Sequence, residues 1–353
     1  MVTRHIHRVA LRIFYMLCAM LFACCSFKSN LPTDVKTIPK QAIGEDSVPS
    51  FAINLPFLFY PERWYLNDSM LYVLNSKESP FLSVFNFSDN TYMQWGSIGN
   101  GPNEFIVPSL CKMKYQRQVG IYSNSLNKLV IYDVLRDTIV LKKSFHFPIW
   151  NEGRKLPKAY TRMIQFDDSL FVGTSFMPRE IAVELLDLQS EKVVDTVQFP
   201  LQASDGESSA PYECKVDVNS DYLVAAYRYI NRLEIFRLSS RGFRLKTIIG
   251  DGKDQSDLYR LDKDDEMIYY YSDIFCGKDK IYALYQGTQV KDLNLNISKL
   301  EIYSMEGELL QQLNLGRSAE SIVVDEKPGL VYAYDRNEEN DVIYCYKING
   351  SKR

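Results

Sequence analysis

Histidine is nearly missing from this chain, with three in 353 residues, and two of them, His5 and His7, lie at the extreme N-terminus. Ser-His-Asp and Cys-His arrangements each need an imidazole beside the nucleophile, and most zinc and iron sites need two or three. His146, flanked by Phe145 and Phe147, is left as a lone candidate general base, and in a strand-like run it reads as a structural residue. Cysteine offers no metal or redox motif either. No Cys-x-x-Cys occurs, and Cys111, Cys214, Cys276 and Cys345 are spaced by 103, 62 and 69 residues. Isolated cysteines in apolar strands behave as small hydrophobes, although export would permit a disulfide. Charge of one sign is also lacking. The formal net charge is −3, and no Lys/Arg cluster stands beside an aromatic platform, so nucleic acid is not an expected partner.

What is present points to strands and to export. Tyrosine (24) and phenylalanine (19) far outnumber tryptophan (3), the bias of many half-buried strands. Arg4, Arg8 and Arg12 precede an eleven-residue apolar run, Ile13 to Ala23, too short to span a bilayer as a mature helix. The run ends in Leu21-Phe22-Ala23-Cys24, which resembles the lipobox of bacterial lipoproteins. Phe22 stands where that pattern has a small residue, and Cys25 follows at once. The resemblance implies a signal peptide over residues 1–23, cleavage before Cys24 and lipidation of Cys24. Two or more acyl chains would anchor the protein firmly to a membrane that it does not span. Removing three arginines and no acid moves the charge from −3 to −6. Residues 24–47, with Lys28, Pro32, Lys36, Pro39 and Lys40 among few apolar residues, read as a flexible tether.

From residue 48 to the end the chain is a set of imperfect repeats. Short loops lead into apolar strands marked by Leu71, Gly120, Leu170, Leu223, Ile281 and Leu330, spaced by 49, 50, 53, 58 and 49 residues. Six units of that length each accommodate a four-stranded antiparallel sheet, the blade of a β-propeller. The last unit lacks an outer strand, and Ser50-Phe51-Ala52-Ile53-Asn54-Leu55-Pro56 resembles the last strands of inner units. The expected fold is therefore an all-β, six-bladed β-propeller closed by its N-terminal strand. Three stretches, Gly96 to Phe105, Ala226 to Phe236 and Lys280 to Gly287, resemble the TolB-like six-bladed propeller lipoproteins, distantly related to NHL-type propellers. That resemblance implies the fold and the lipoprotein setting, and no reaction.

The remaining motifs are weak in chemistry. Gly99-Asn100-Gly101-Pro102 opens no helix and carries no Lys-Ser/Thr, so it reads as an inter-blade turn, with Glu104 bonding that loop or lining the channel mouth. The acidic runs at residues 251–257 and 262–266 lack EF-hand spacing and read as solvated loop. Asp68-Ser69-Met70, Asp137-Thr138-Ile139, Asp168-Ser169-Leu170 and Asp195-Thr196-Val197 resemble an O-glycosylation acceptor, and equally turn-to-strand junctions. Two function classes follow. The first is a non-catalytic binding or scaffolding protein at the cell envelope, the outer membrane by expectation. It would contact a protein, peptide or glycan through Glu104, Tyr227, Arg228 and Tyr229, with Tyr269-Tyr270-Tyr271 as a second aromatic run. The second is a propeller hydrolase or lactonase using one axial divalent ion held by residues such as Glu104, Asp273 and Asp335. No cofactor is expected for the first. An axial channel lined by Arg and Tyr favours the binder, and converging carboxylate oxygens favour the enzyme.

Overall fold

Period-2 alternation of apolar and polar residues recurs through the repeats, and it folds as expected. The computed structural model describes residues 34–55, 58, 63–75, 78–101, 103–123, 125–126, 128–146, 160–177, 180–197, 213–250, 267–335, 337 and 342–348. The chain divides into residues 1–35 and Lys36–Arg353, and the second unit is described here. The expected signal peptide, Cys24 and both acidic runs lie outside the described residues.

Three short strands come first: β1 (Lys36–Ile38), β2 (Glu45–Ser47) and β3 (Ser50–Asn54). Blade 1 follows with β4 (Arg63–Asn67), β5 (Met70–Leu74), β6 (Leu82–Asn86) and β7 (Thr91–Trp95), and then a two-stranded ladder of β8 (Ser97–Ile98) and β9 (Glu104–Phe105). Blade 2 comprises β10 (Pro108–Lys112), β11 (Gln118–Ser123), β12 (Lys128–Val134) and β13 (Ile139–His146). Blade 3 comprises β14 (Arg162–Gln165), β15 (Leu170–Met177), β16 (Glu180–Asp187) and β17 (Lys192–Thr196). Blade 4 is β18 (Cys214–Val218), β19 (Tyr222–Tyr227), β20 (Arg232–Ser239) and β21 (Gly242–Gly250). Blade 5 is β22 (Ile268–Cys276), β23 (Lys280–Gln289), β24 (Lys299–Ser304) and β25 (Leu309–Asn314). Blade 6 has β26 (Ser321–Asp325), β27 (Leu330–Tyr334) and β28 (Val342–Lys347), and its fourth strand is β3.

The marker residues all fall on the second strand of their blades. Ring closure is as the sequence predicts: β3 pairs antiparallel with β28, Ile53 opposite Ile343 and Phe51 opposite Cys345. Blades 2 and 3 are joined along their inner strands, where β10 and β14 run parallel. In each of blades 2 to 5 the register between third and fourth strands slips once, at Ile131/Tyr132, Leu185/Leu186, Ile235/Phe236 and Ile302/Tyr303. Such bulges increase the local twist that turns an outer strand away from its neighbours.

Six apolar clusters fill the seams between adjacent blades, and the one between blades 6 and 1 closes the ring. There Trp64, Leu71 and Val73 meet Tyr332, Ile343 and Cys345. Burial at about 25 cal/mol per Å² makes these seams the main stabilising element of the fold. Within blade 2 the second strand packs closely on the inner one and needs a small residue there, since Gly120 stands opposite Cys111 in the ladder. A Cβ on Gly120 would lie 2.8 Å from both Cys111 Cβ and Met113 Sδ. Cys111, Cys214, Cys276 and Cys345 are free and buried, and burial pushes their thiols up from the ordinary value.

The expected tether is corrected from Lys36 onward. β1 adds parallel to the outer strand of blade 4, Ile38 opposite Ile249, and β2 adds parallel to the outer strand of blade 5, Asp46 opposite Leu313. Lys40 between them sends its ammonium to the buried Glu301 (2.9 Å) and lies 3.3 Å from the centre of the Tyr285 ring. Residues 36–54 thus belt blades 4, 5 and 6 in succession. Their low apolar content conceals this, because an added edge strand is held by backbone hydrogen bonds that need no hydrophobic pattern.

Candidate functional site: the axial channel

The inner strands surround the axis, and β18 shows how one strand serves both a seam and the channel. In β18 the run Cys214-Lys215-Val216-Asp217-Val218 places Cys214, Val216 and Val218 in the seam between blades 3 and 4. Side chains of opposite parity face the axis. Around the ring a cavity of about 120 Å³ is lined by Arg63 (β4), Lys112 (β10), Arg162 (β14), Lys215 (β18), Asp273 (β22) and Arg228, which follows β19. Glu320 and the hydroxyls of Ser272 and Ser321 complete its polar wall, and Trp64, Tyr65 and Tyr269 its aromatic one.

The lining carries five cationic side chains against two carboxylates, Asp273 and Glu320. Two of the cations are held by acids. Lys112 Nζ lies 2.8 and 2.7 Å from the two oxygens of Asp217 and 4.8 Å from the centre of the Phe275 ring, and Asp217 also accepts the Cys276 N–H (2.8 Å). That pair ties blade 2 to blades 4 and 5. Arg228 is paired with Glu213 at 2.6 Å and stacks on Tyr269, 5.2 Å from its centre, which in turn meets Tyr229 edge-on. Among the described residues no carboxylate lies within 4.0 Å of the charged nitrogens of Arg162 or Lys215. Burial, with Arg228, Arg63 and Arg162 nearby, lowers Lys215 to about 8 against the opposing pull of Asp273. Burial raises Asp273, opposed by Arg162 and Lys215, and its carboxylate accepts the Ile274 and Ile322 N–H groups, both at 2.9 Å.

The residues singled out from sequence are dispersed. Arg228 lines the channel. Tyr227 is buried between blades and donates its hydroxyl to Glu234 (2.7 Å). Glu104 accepts the Gly101 N–H (2.8 Å), and its carbonyl accepts Lys128 Nζ (2.7 Å), so it fastens the loop after blade 1. Asp335, past the end of β27, accepts the Asn337 N–H at 3.0 Å. Of Glu104, Asp273 and Asp335, Asp273 alone lines the channel. Among the described residues no three His, Cys, Asp or Glu side chains converge as a metal site would require. His146 is exposed at the end of β13, 3.1 Å from Ser144.

Sequence reasoning passed over Arg63, Lys112, Arg162 and Lys215. The available signal was a single basic residue in the strand just before each of the first four marker strands, in RWYLN, PSLCK, RMIQ and CKVDV. A second pattern also escaped notice. Blades 3, 4 and 5 each bury a carboxylate on the third strand against a tyrosine hydroxyl: Glu184 with Tyr160 (2.6 Å), Glu234 with Tyr227 (2.7 Å) and Glu301 with Tyr303 (2.7 Å).

Comparison with known proteins agrees with this architecture. A protein of Bacteroides fragilis described as exported is 11% identical, and the alignment covers 90% of this chain and 99% of that one with a TM-score of 0.57. A member of the DUF4221 family from Bacteroides vulgatus is 13% identical, with 86% of this chain and 97% of that one covered and a TM-score of 0.55. At such identities the likeness concerns the fold. No curated protein matches. The model of the TolB-like 6-blade propeller-like family matches residues 44–327, and with its six blades closed by β3 this chain belongs to that family.

Proposed function

We propose that this protein is an exported, lipid-anchored, non-catalytic binding or scaffolding propeller of the cell envelope, and that its axial channel receives the ligand. The observation that carries this reading is the channel wall, where five cations and three aromatic side chains stand against two carboxylates. A divalent ion with a hydrolytic water would need several oxygens converging on one point. Asp273 is engaged by two backbone N–H groups, and Glu104 serves its own loop. Support for export and anchoring comes from the charged, apolar and Leu21-Phe22-Ala23-Cys24 segments of the N-terminus.

The anchor is tested by Cys24→Ser, which should abolish metabolic labelling with a fatty acid and shift the protein to the soluble fraction. Unchanged membrane retention would contradict it. The binding reading is tested by assaying the full chain against lactone, phosphoester and glycoside substrates with added Ca²⁺, Mg²⁺, Mn²⁺ or Zn²⁺. No turnover is expected. Metal-dependent turnover abolished by Asp273→Asn would overturn the reading in favour of the hydrolase.

A further inference from the structure

We infer that the axial channel is a site for a compact oxyanion of phosphate or sulfate type, free or as the terminal group of an ester. This rests on the reading above that the channel receives the ligand, and adds the ligand's chemistry.

Three observations converge on it. The first is uncompensated charge. Lys112 and Arg228 are neutralised by Asp217 and Glu213, whereas Arg162 and Lys215 have no carboxylate within ion-pair distance among the described residues. Enclosing like charges is costly unless an opposite charge joins them. The second is the donor set. Ser272 Oγ accepts from Gln286 Nε2 (2.8 Å) and Ser321 Oγ accepts from Trp64 Nε1 (2.8 Å), so each hydroxyl keeps its own proton to donate. Arg228 Nε is buried without a hydrogen-bond partner. A guanidinium, an ammonium and two hydroxyls from different blades line the same cavity, a donor set that suits a group with three or four oxygens better than a planar one. The third is size. A volume of about 120 Å³ is well below the pockets of drug-sized ligands. It admits a head group and excludes a folded peptide or an oligosaccharide chain.

The test is calorimetric titration of the full chain in mild detergent with inorganic phosphate, sulfate and glycerol 3-phosphate, each against chloride and acetate at matched ionic strength. Saturable binding at one site per chain is expected for phosphate and sulfate, and chloride and acetate should be at least tenfold weaker. Tighter binding of glycerol 3-phosphate than of phosphate would assign the natural ligand to esters, and the reverse to the free anion. Arg162→Gln and Lys215→Met should each weaken binding about tenfold or more, the loss expected for one charged hydrogen bond. Lys246→Ala, on the outer strand of blade 4, should leave it unchanged. Asp273→Asn removes a negative charge from the wall and should tighten binding several-fold, a gain that no misfolded variant gives. The inference is overturned if neither phosphate nor sulfate binds saturably, or if their affinity survives in both Arg162→Gln and Lys215→Met. Either failure leaves the non-catalytic reading intact, which falls only to metal-dependent turnover.

Discussion

The two faces of the inner strand β18 obey opposite rules. On the seam side Val216 and Val218 of β18 pack among apolar neighbours from the next blade, and on the axial side Lys215 of the same strand stands among Arg63, Arg162 and Arg228. Burial stabilises the first group and penalises the second. Seams therefore hold the ring together, and the channel draws on the stability they provide. A site that collects like charges is under tension unless an opposite charge joins it, the pattern expected where function outweighs stability.

Breaking the seam at its closure should have the largest effect. Deleting residues 50–54 removes the β3–β28 ladder, whose hydrogen bonds contribute about 0.5–1.5 kcal/mol each, and uncovers the edge of β28 beside the seam of blades 6 and 1. The expected outcome is aggregation, or loss of a cooperative thermal transition in circular dichroism. A deletion variant that melted like the parent would disprove strand closure and the six-blade ring with it.

The belt is the intermediate case, because it couples an exposed edge to a buried charge. Glu301 is fully buried and is satisfied by Tyr271, Tyr303, Gln312 and the Lys40 ammonium. Lys40→Met withdraws the cation and leaves the carboxylate enclosed, which should cost about 3 kcal/mol, at the low end for a broken buried pair. Adding Glu301→Gln in that background should restore part of the loss. Urea midpoints for the two single variants and the double variant measure the coupling. Simple additivity would mean that the belt does not dock through this pair.

The seam was legible in the sequence and the channel was not, for a physical reason. A seam is built from local alternation repeated at a constant interval, so Leu71, Gly120, Leu170, Leu223, Ile281 and Leu330 declare both the strand and the blade count. Closure was legible too, since blade 6 lacked a strand that Ser50–Asn54 could supply. The channel residues keep the same interval, Arg63, Lys112, Arg162, Lys215 and Asp273 each standing eight residues before the marker of its blade, but a single polar residue per blade that changes among Arg, Lys and Asp makes no hydrophobic pattern to declare an axis. Tyr227-Arg228-Tyr229 stood out because adjacent residues are conspicuous, yet adjacency in a strand sends neighbours to opposite faces. Arg228 reached the channel, and Tyr227 went to the seam. Belt residues such as Lys40 and Ile43 looked like a tether because edge pairing leaves little hydrophobic trace.

Lys215→Met should be the least destabilising of the three, with a sign opposite to that of the seam and belt variants. Lys215 faces Arg228, Arg63 and Arg162 with Asp273 opposing them, while Lys112 nearby is held by Asp217. Its folded-state value of about 8 lies below the ordinary 10.5 of an unfolded lysine. Below pH 8 both states carry the proton and the folded state bears the full cost of the enclosed charge. Between pH 8 and 10.5 the unfolded chain still binds a proton that the folded chain has lost, so stability from this group rises with pH. Replacing the ammonium with a methionine of similar length removes the cost at every pH and keeps the packing. At pH 7 without phosphate or sulfate, Lys215→Met should therefore melt at or above the parent's temperature, and the gap should close as pH rises from 8 towards 10.5. Comparing parent and variant at each pH cancels the titration of other groups. A variant that melts well below the parent at pH 7, with a deficit indifferent to pH, would mean that Lys215 is a structural residue and that the axial charge carries no tension.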